Sequence, residues 1–305
     1  MGNNLPAKIY SKKTPTQLRL CFEMNGNNDT RYIDVARALS VINRRAYRQG
    51  LYYYINSVEL HNDENSVVDL LCANDNWITQ QAWLKGFEKF QKMNSMVETP
   101  RPKYHDFKVL LTDQMTEANI MDPDTYNRSM VHQSNPPDEW IYSKFTTMRS
   151  DGGQADEWTA HLVGVHDGAE GNWNSIGLIR SYANTRTQPP SIGEPNVDSS
   201  MREDPMANLF DASGDHALKD IMKNLDEHND VAPYDASTYI GEGSSQLAQV
   251  ARLATVATVN RVSVASGFCA PMGLIAIKPQ ETSTGFSIVL NIAAGTYHGV
   301  YAERV

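Results

Sequence analysis

The chain has 305 residues, 41% of them hydrophobic, and a formal net charge of −9. Such a composition excludes a disordered tail and supplies a core for one large domain or two ordinary ones. The acidic balance excludes a protein that simply coats nucleic acid, because neutralising phosphate takes Lys and Arg.

The charge is unevenly placed. Residues 1–50 hold nine bases (Lys8, Lys12, Lys13, Arg19, Arg31, Arg37, Arg44, Arg45 and Arg48) against three acids (Glu23, Asp29 and Asp34), so a mildly basic end precedes an acidic body. Residues 1–16 read as a short, mildly basic N-terminal arm, without the apolar run of a signal peptide. No stretch approaches the roughly 18 apolar residues of a membrane span, so no membrane partner is expected. Cys21, Cys72 and Cys269 are odd in number and widely spaced, which fits free thiols better than a disulfide framework or zinc ribbon.

In chain order, Gln17 to Met24 alternates apolar and polar residues as a half-buried strand does. Asp34 can cap a short helix through Ala36, Leu39 and Ile42 that ends near Gly50. Leu51 to Leu60, dense in Tyr and β-branched residues, reads as a strand. From Asp75 to Met93, Trp83, Phe87 and Phe90 recur at helical spacing and predict a helix lying across a sheet or sealing one end of a sandwich. Short strand-like runs follow at Phe107 to Leu111, Trp140 to Met148, Trp158 to Val165 and Ser175 to Tyr182.

Residues 183–245 are rich in Pro, Ser, Asp and Gly, with a short amphipathic helix on Leu218, Ile221, Met222 and Leu225, and read as a long acidic inter-strand excursion. Strand character returns at Ala251 to Ala265, Leu274 to Lys278, Gly285 to Ile292 and Gly299 to Glu303, so the C-terminus closes the domain. The expected fold is mainly β: an antiparallel sandwich with a few short helices in its loops.

The chemical candidates are few. Gly241-Glu242-Gly243-Ser244-Ser245 lacks the strand-turn-helix setting of a nucleophile elbow, and Gly164 to Gly171 lacks the Lys-Ser/Thr ending of a phosphate loop. Asp226, Glu227, His228 and Asp230 could hold calcium, but without regular ligand spacing they read as a solvated helix end. His161 and His166, five apart on a strand and turn, are expected to face opposite sides of a sheet. No catalytic residue, metal or cofactor is assigned. Arg44, Arg45 and Arg48 with Tyr47 suit gripping phosphate and stacking on bases; an arginine-rich helix end that favours the helix dipole is the other reading. Their position decides: beside the N-terminus they form a genome-facing surface, and paired with the acidic excursion they are structural.

Taken together, Asn43 to Leu60 (NRRAYRQGLYYYINSVEL), Asp204 to Asp211 (DPMANLFD), Leu225 to Asp235 (LDEHNDVAPYD), Gly267 to Ile275 (GFCAPMGLI) and Gly295 to Val305 (GTYHGVYAERV) resemble capsid proteins of small circular single-stranded DNA viruses. The resemblance covers most of the chain. It implies a viral jelly roll over 1–305, a single domain that self-assembles into an icosahedral shell around the genome, found in the virion and in the host cell during assembly. The departure is the N-terminus, which lacks the long Arg-rich arm of many such proteins. On this reading Lys12, Lys13, Arg44, Arg45 and Arg48 face the genome. Phe210, Tyr234 and Tyr239, aromatic residues in a polar excursion, either anchor contacts between copies of the chain or pack on their own sandwich. The alternative is a β-sandwich binding module for carbohydrate or another ligand, with Trp140, Trp158 and Trp173 as stacking faces.

Overall fold

A computed structural model describes residues 16–24, 28–95, 106–123, 140–147, 156–169, 172–185, 233–234, 238–243, 246–282 and 285–305. Two compact units are present, one of residues 1–183 with 240–305 and the other of residues 184–239. Among the described residues of the first unit the elements run β1 (Arg19–Met24), β2 (Arg31–Asp34), α1 (Val35–Asn43), β3 (Leu51–His61), β4 (Ser66–Cys72) and α2 (Trp77–Ser95). Then come β5 (Lys144–Thr147), β6 (Asp156–His161), β7 (Asp167–Ala169), β8 (Asn172–Gly177) and α3 (Leu178–Thr185), whose last residues enter the second unit. The chain closes with β9 (Ala248–Thr255), β10 (Val262–Ala270), β11 (Leu274–Thr282), β12 (Phe286–Ile292), β13 (Ala294–Tyr297) and β14 (Ala302–Arg304).

Eight of these strands make an antiparallel sandwich, with sheet orders β1-β12-β3-β10 and β2-β11-β4-β9. Successive strands change sheet except at β4 to β9, which is the double Greek key connectivity of a jelly roll. Alternation builds its core: Leu20 and Phe22 of β1, Ile288 and Leu290 of β12, Val68 and Leu70 of β4, and Ile275 and Ile277 of β11 are all fully buried in one cluster. Each contributes about 1.5–3 kcal/mol by leaving water. On β3 the inward residues Ile55 and Val58 are three apart, because the pairing with β12 slips by one between Ser57 and Ile55 and bulges out Asn56.

On the outer face of the second sheet, Asp69 accepts hydrogen bonds from Arg252 Nε (2.6 Å) and Nη2 (2.8 Å), from Gln249 and from Gln280. The Arg252 hydrogen bonds, first, hold the Asp69 carboxyl below its usual range. A depressed carboxyl gives stability that is present above its unfolded value, about 3.9, and is lost as pH falls through the folded one. Asp69→Asn should therefore lower stability at pH 7 by about 1 kcal/mol, discounted for the exposed guanidinium, and flatten the acid limb of a melting-temperature profile below about pH 4.

The insertion between β4 and β9 carries a third sheet, order β5-β6-β8-β7, in which β6 and β8 run parallel. The excursion expected at 183–245 is thus the last part of a longer interruption of the sandwich that begins after Cys72. The aromatic face of α2 lies across this third sheet: Phe90 meets Phe107 and Phe145 with ring centroids at 5.1 and 6.0 Å, and Trp83 stacks on Phe87 at 5.0 Å. Residues 110–121 join the insertion to the sandwich edge. Met121 N donates to Tyr32 O (2.8 Å), Tyr32 and Thr112 hydroxyls meet at 2.9 Å, and Arg31 donates to Ala118 O.

Other expectations are corrected. The run Ser175 to Tyr182 is a strand only to Gly177 and then turns into α3, whose Leu178 and Ile179 are buried. Ala251 to Ala265 is a hairpin: Val256 and Asn260 close a turn that the Asn65 side chain holds through Ala257 N. His161 and His166 do not face apart. Gly164, at φ +132°, curls the chain after β6, so that His166 accepts from Gly177 N while His161, buried and bonded to Ser175 (2.7 Å), lies beside the same glycine.

Candidate nucleic-acid interface

The jelly roll has two ends, joined by the length of β3. Strand pairing places Met24, His61, Thr255, Val262 and Phe286 at one end, and Arg19, Leu51, Ala270, Asn291 and Arg304 at the other. The arginine cluster belongs to the second end. α1 starts at Asp34, whose side chain accepts from Arg37 N (3.1 Å), and stops at Arg44, which takes a left-handed backbone at φ 51°. This is shorter than the helix to Gly50 expected from the sequence. Beyond Arg44 the chain runs irregularly to Gly50, held from beneath: Ser40 Oγ accepts from Tyr47 N (2.9 Å), and Tyr53 OH donates to Arg48 O (2.6 Å).

Under this loop lies a buried polar junction. Asp34 Oδ2 accepts from Gln49 Nε2 (2.9 Å) and from Tyr142 OH (3.3 Å). The same Gln49 amide exchanges two hydrogen bonds with Val109 (2.6 and 2.9 Å), and Gln49 N donates to Asp106. Burial pushes the Asp34 carboxyl above its usual range, with the donors from Arg37 and Gln49 pulling the other way. The junction fixes the arginine loop to both the sandwich and its insertion.

The closing turn of the chain sits against the loop. His298 (φ 51°) and Gly299 (φ 97°) reverse the backbone after β13, and a Cβ at Gly299 would strike Thr16, so that position requires glycine. Thr16 Oγ1 and Tyr47 OH both donate to His298 O (3.0 Å each), Tyr297 OH accepts from Arg48 N (3.0 Å), and Arg45 Nη1 reaches Thr16 Oγ1 (3.5 Å). The side chain of Asn43 bridges to Gln17 N (2.7 Å). Arg45, Arg48, Tyr297 and His298 therefore form one contiguous surface where the N-terminal segment enters the sandwich. Arg44 and Arg48 are exposed and Arg45 is half-buried, and no ion pair of Arg44 or Arg48 forms among the described residues.

The arginines lie beside Thr16, where the described chain begins. Lys12, Lys13 and Phe210 lie outside the described residues, as do Asp226, Glu227, His228 and Asp230. In the second unit Tyr234 is exposed and Tyr239 half-buried. The sequence reading missed Tyr297 and His298. Their signal was the aromatic pair bracketed by Gly295 and Gly299, which only a tight turn would present.

The proposed tryptophan faces are not assembled into one platform. Trp158 stacks flat on Phe145 (4.7 Å, 11°), Lys108 Nζ lies 4.2 Å over Trp140, and Trp173 meets His166 edge-on. A cavity of about 680 Å³ opens instead at the far end of the sandwich, lined by Glu23, His61, Asp63, Glu64, Arg261 and Phe286 among others. No group of three or more His, Cys, Asp or Glu side chains able to hold a metal ion occurs among the described residues. Comparison with protein-family models, with curated proteins and with solved structures finds no match to this chain.

Proposed function

We propose that the chain is a structural capsid protein that self-assembles into a closed, icosahedral shell around a genome. The observation that carries the reading is the edge of the jelly roll at β9 and β10. Among the described residues β10 pairs with β3 alone, and the first half of its solvent side is apolar: Val262 is 38% exposed and Val264 63%, with Val256 and Val259 (86%) on the hairpin that leads into it. A row of valines beside unpaired backbone donors and acceptors is a surface that water disfavours, and a second copy of the chain can cover it. Symmetric repetition of such a contact closes a shell. The sequence resemblance to single-stranded DNA virus capsid proteins agrees with this reading, as does the jelly-roll connectivity.

Sedimentation velocity over a concentration series tests it. The native chain should sediment as large particles, and Val264→Asp, which puts a charge on the exposed strand edge without touching the core, should shift the population at least tenfold towards small species. An unchanged particle fraction in that variant would place the contact elsewhere. The second reading, a ligand-binding sandwich, is favoured by the cavity lined by Glu23, Asp63, Glu64 and Arg261. It expects a small species at every concentration and binding that is lost when Arg261 is replaced.

A further inference from the structure

We propose that the arginine loop and the closing turn form a single binding site for single-stranded nucleic acid, in which guanidinium groups hold phosphates and the His298 imidazole stacks on a base. The inference deepens the shell reading by naming the chemistry of the cargo and its contact, and it rests on that reading for its setting.

Three features carry it. The first is convergence: Arg48 N donates to Tyr297 OH and Thr16 Oγ1 to His298 O, pairs 249 and 282 positions apart, and Arg45 reaches the same Thr16 hydroxyl. The second is rigidity. The His298 carbonyl is clamped by two hydroxyls, and its backbone sits in a left-handed turn that Gly299 completes, so the exposed ring is presented from a fixed base. Little conformational freedom is then left to lose on binding. The third is ring geometry: the His298 side chain is exposed, and Tyr47 and Tyr297 meet its ring at 75° and 60°, so neither is stacked parallel on it. Cations beside an aromatic face suit a phosphate chain whose bases are unstacked. A duplex hides its base faces, so the geometry selects single strands.

The test is fluorescence anisotropy of the full chain with labelled oligothymidylate, oligouridylate and a blunt DNA duplex, over a salt series. Either single strand binding in preference to duplex supports the site. His298→Ala should weaken single-strand binding about 10-fold, within the range for one base stack, with an unchanged salt slope, and His298→Phe should retain it. Arg44→Gln with Arg48→Gln should instead reduce the slope of log affinity against log salt by about 1.4, the contribution of two phosphate contacts to a single strand. Circular dichroism melts of each variant separate loss of binding from loss of fold. Equal affinity for duplex and single strand, or a folded His298→Ala chain that binds as the native one does, overturns the proposal. Sedimentation of the same samples keeps the two readings apart. Particles that form without strand binding overturn this site alone, and strand binding by a chain that never assembles overturns the shell alone.

Discussion

Asp34→Ala is expected to lower the stability of the chain by roughly 3–5 kcal/mol. About 1 kcal/mol of that is the lost cap on α1, since Asp34 Oδ1 no longer accepts from Arg37 N. The larger part comes from Oδ2, whose removal leaves Gln49 Nε2 with only Val109 O and Tyr142 OH without its acceptor, at about 1–3 kcal/mol for a buried donor left unsatisfied. Gln49 cannot turn to compensate, because its other bonds to Val109 and Asp106 fix its orientation. The effect reaches the candidate interface, since Gln49 directly follows Arg48. Urea unfolding should show the loss in midpoint with little change in slope.

The pH dependence of this junction runs opposite to that of Asp69. Burial raises the folded carboxyl of Asp34 above its unfolded value, so as pH rises from about 3.9 the unfolded state ionises first and stability falls until the folded value is passed. Asp34→Asn removes one titrating group and should reduce that slope, leaving the part that comes from Asp106, whose carboxyl burial also raises. A native chain whose stability has the same pH profile as the Asn variant above about pH 4 would contradict the account of the junction.

Gly267→Ala should destabilise by roughly 1–3 kcal/mol, as overpacking does in a rigid setting. Gly267 lies on β10 between Ser266 and Phe268, which pair with Ser57 and Ile55, and so it faces Asn56, the residue that bulges out of the β3–β12 ladder. A Cβ there would run into the carbonyl oxygens of Ile55 and Asn56, which are backbone and have no rotamer to give. Relief requires β10 to pull away from β3, and with it the exposed valine edge. The variant should therefore both melt earlier and assemble less well, whereas Val264→Asp, which sets a second carboxylate opposite Glu59, should impair assembly at a stability cost of under about 1 kcal/mol.

The sandwich strands were legible where one face is buried and the other wet, as at Leu20 and Phe22 or Ile288 and Leu290, because alternation is a local consequence of the pleat. α2 was legible for the same kind of reason, its aromatic residues recurring on one helical face. Sheet membership was not. The run Trp158 to Val165 carries the same signature as a sandwich strand, and only its long-range pairing with Lys144–Thr147 and with β8 assigns it to the third sheet. The β9–β10 turn was hidden because it contains no Gly or Pro and is held by Asn65, nearly two hundred residues earlier. At the interface, three arginines in five residues announced themselves, while the partner ring of His298 depended on a fold that returns the C-terminus to the first loop.

Self-assembly is the central claim, and negative-stain electron microscopy of the purified chain, sedimented at low and moderate salt with and without calcium, tests it most directly. The account predicts uniform closed particles under at least one of these conditions, and their fragmentation by Val264→Asp. A homogeneous monomer under every condition would contradict it.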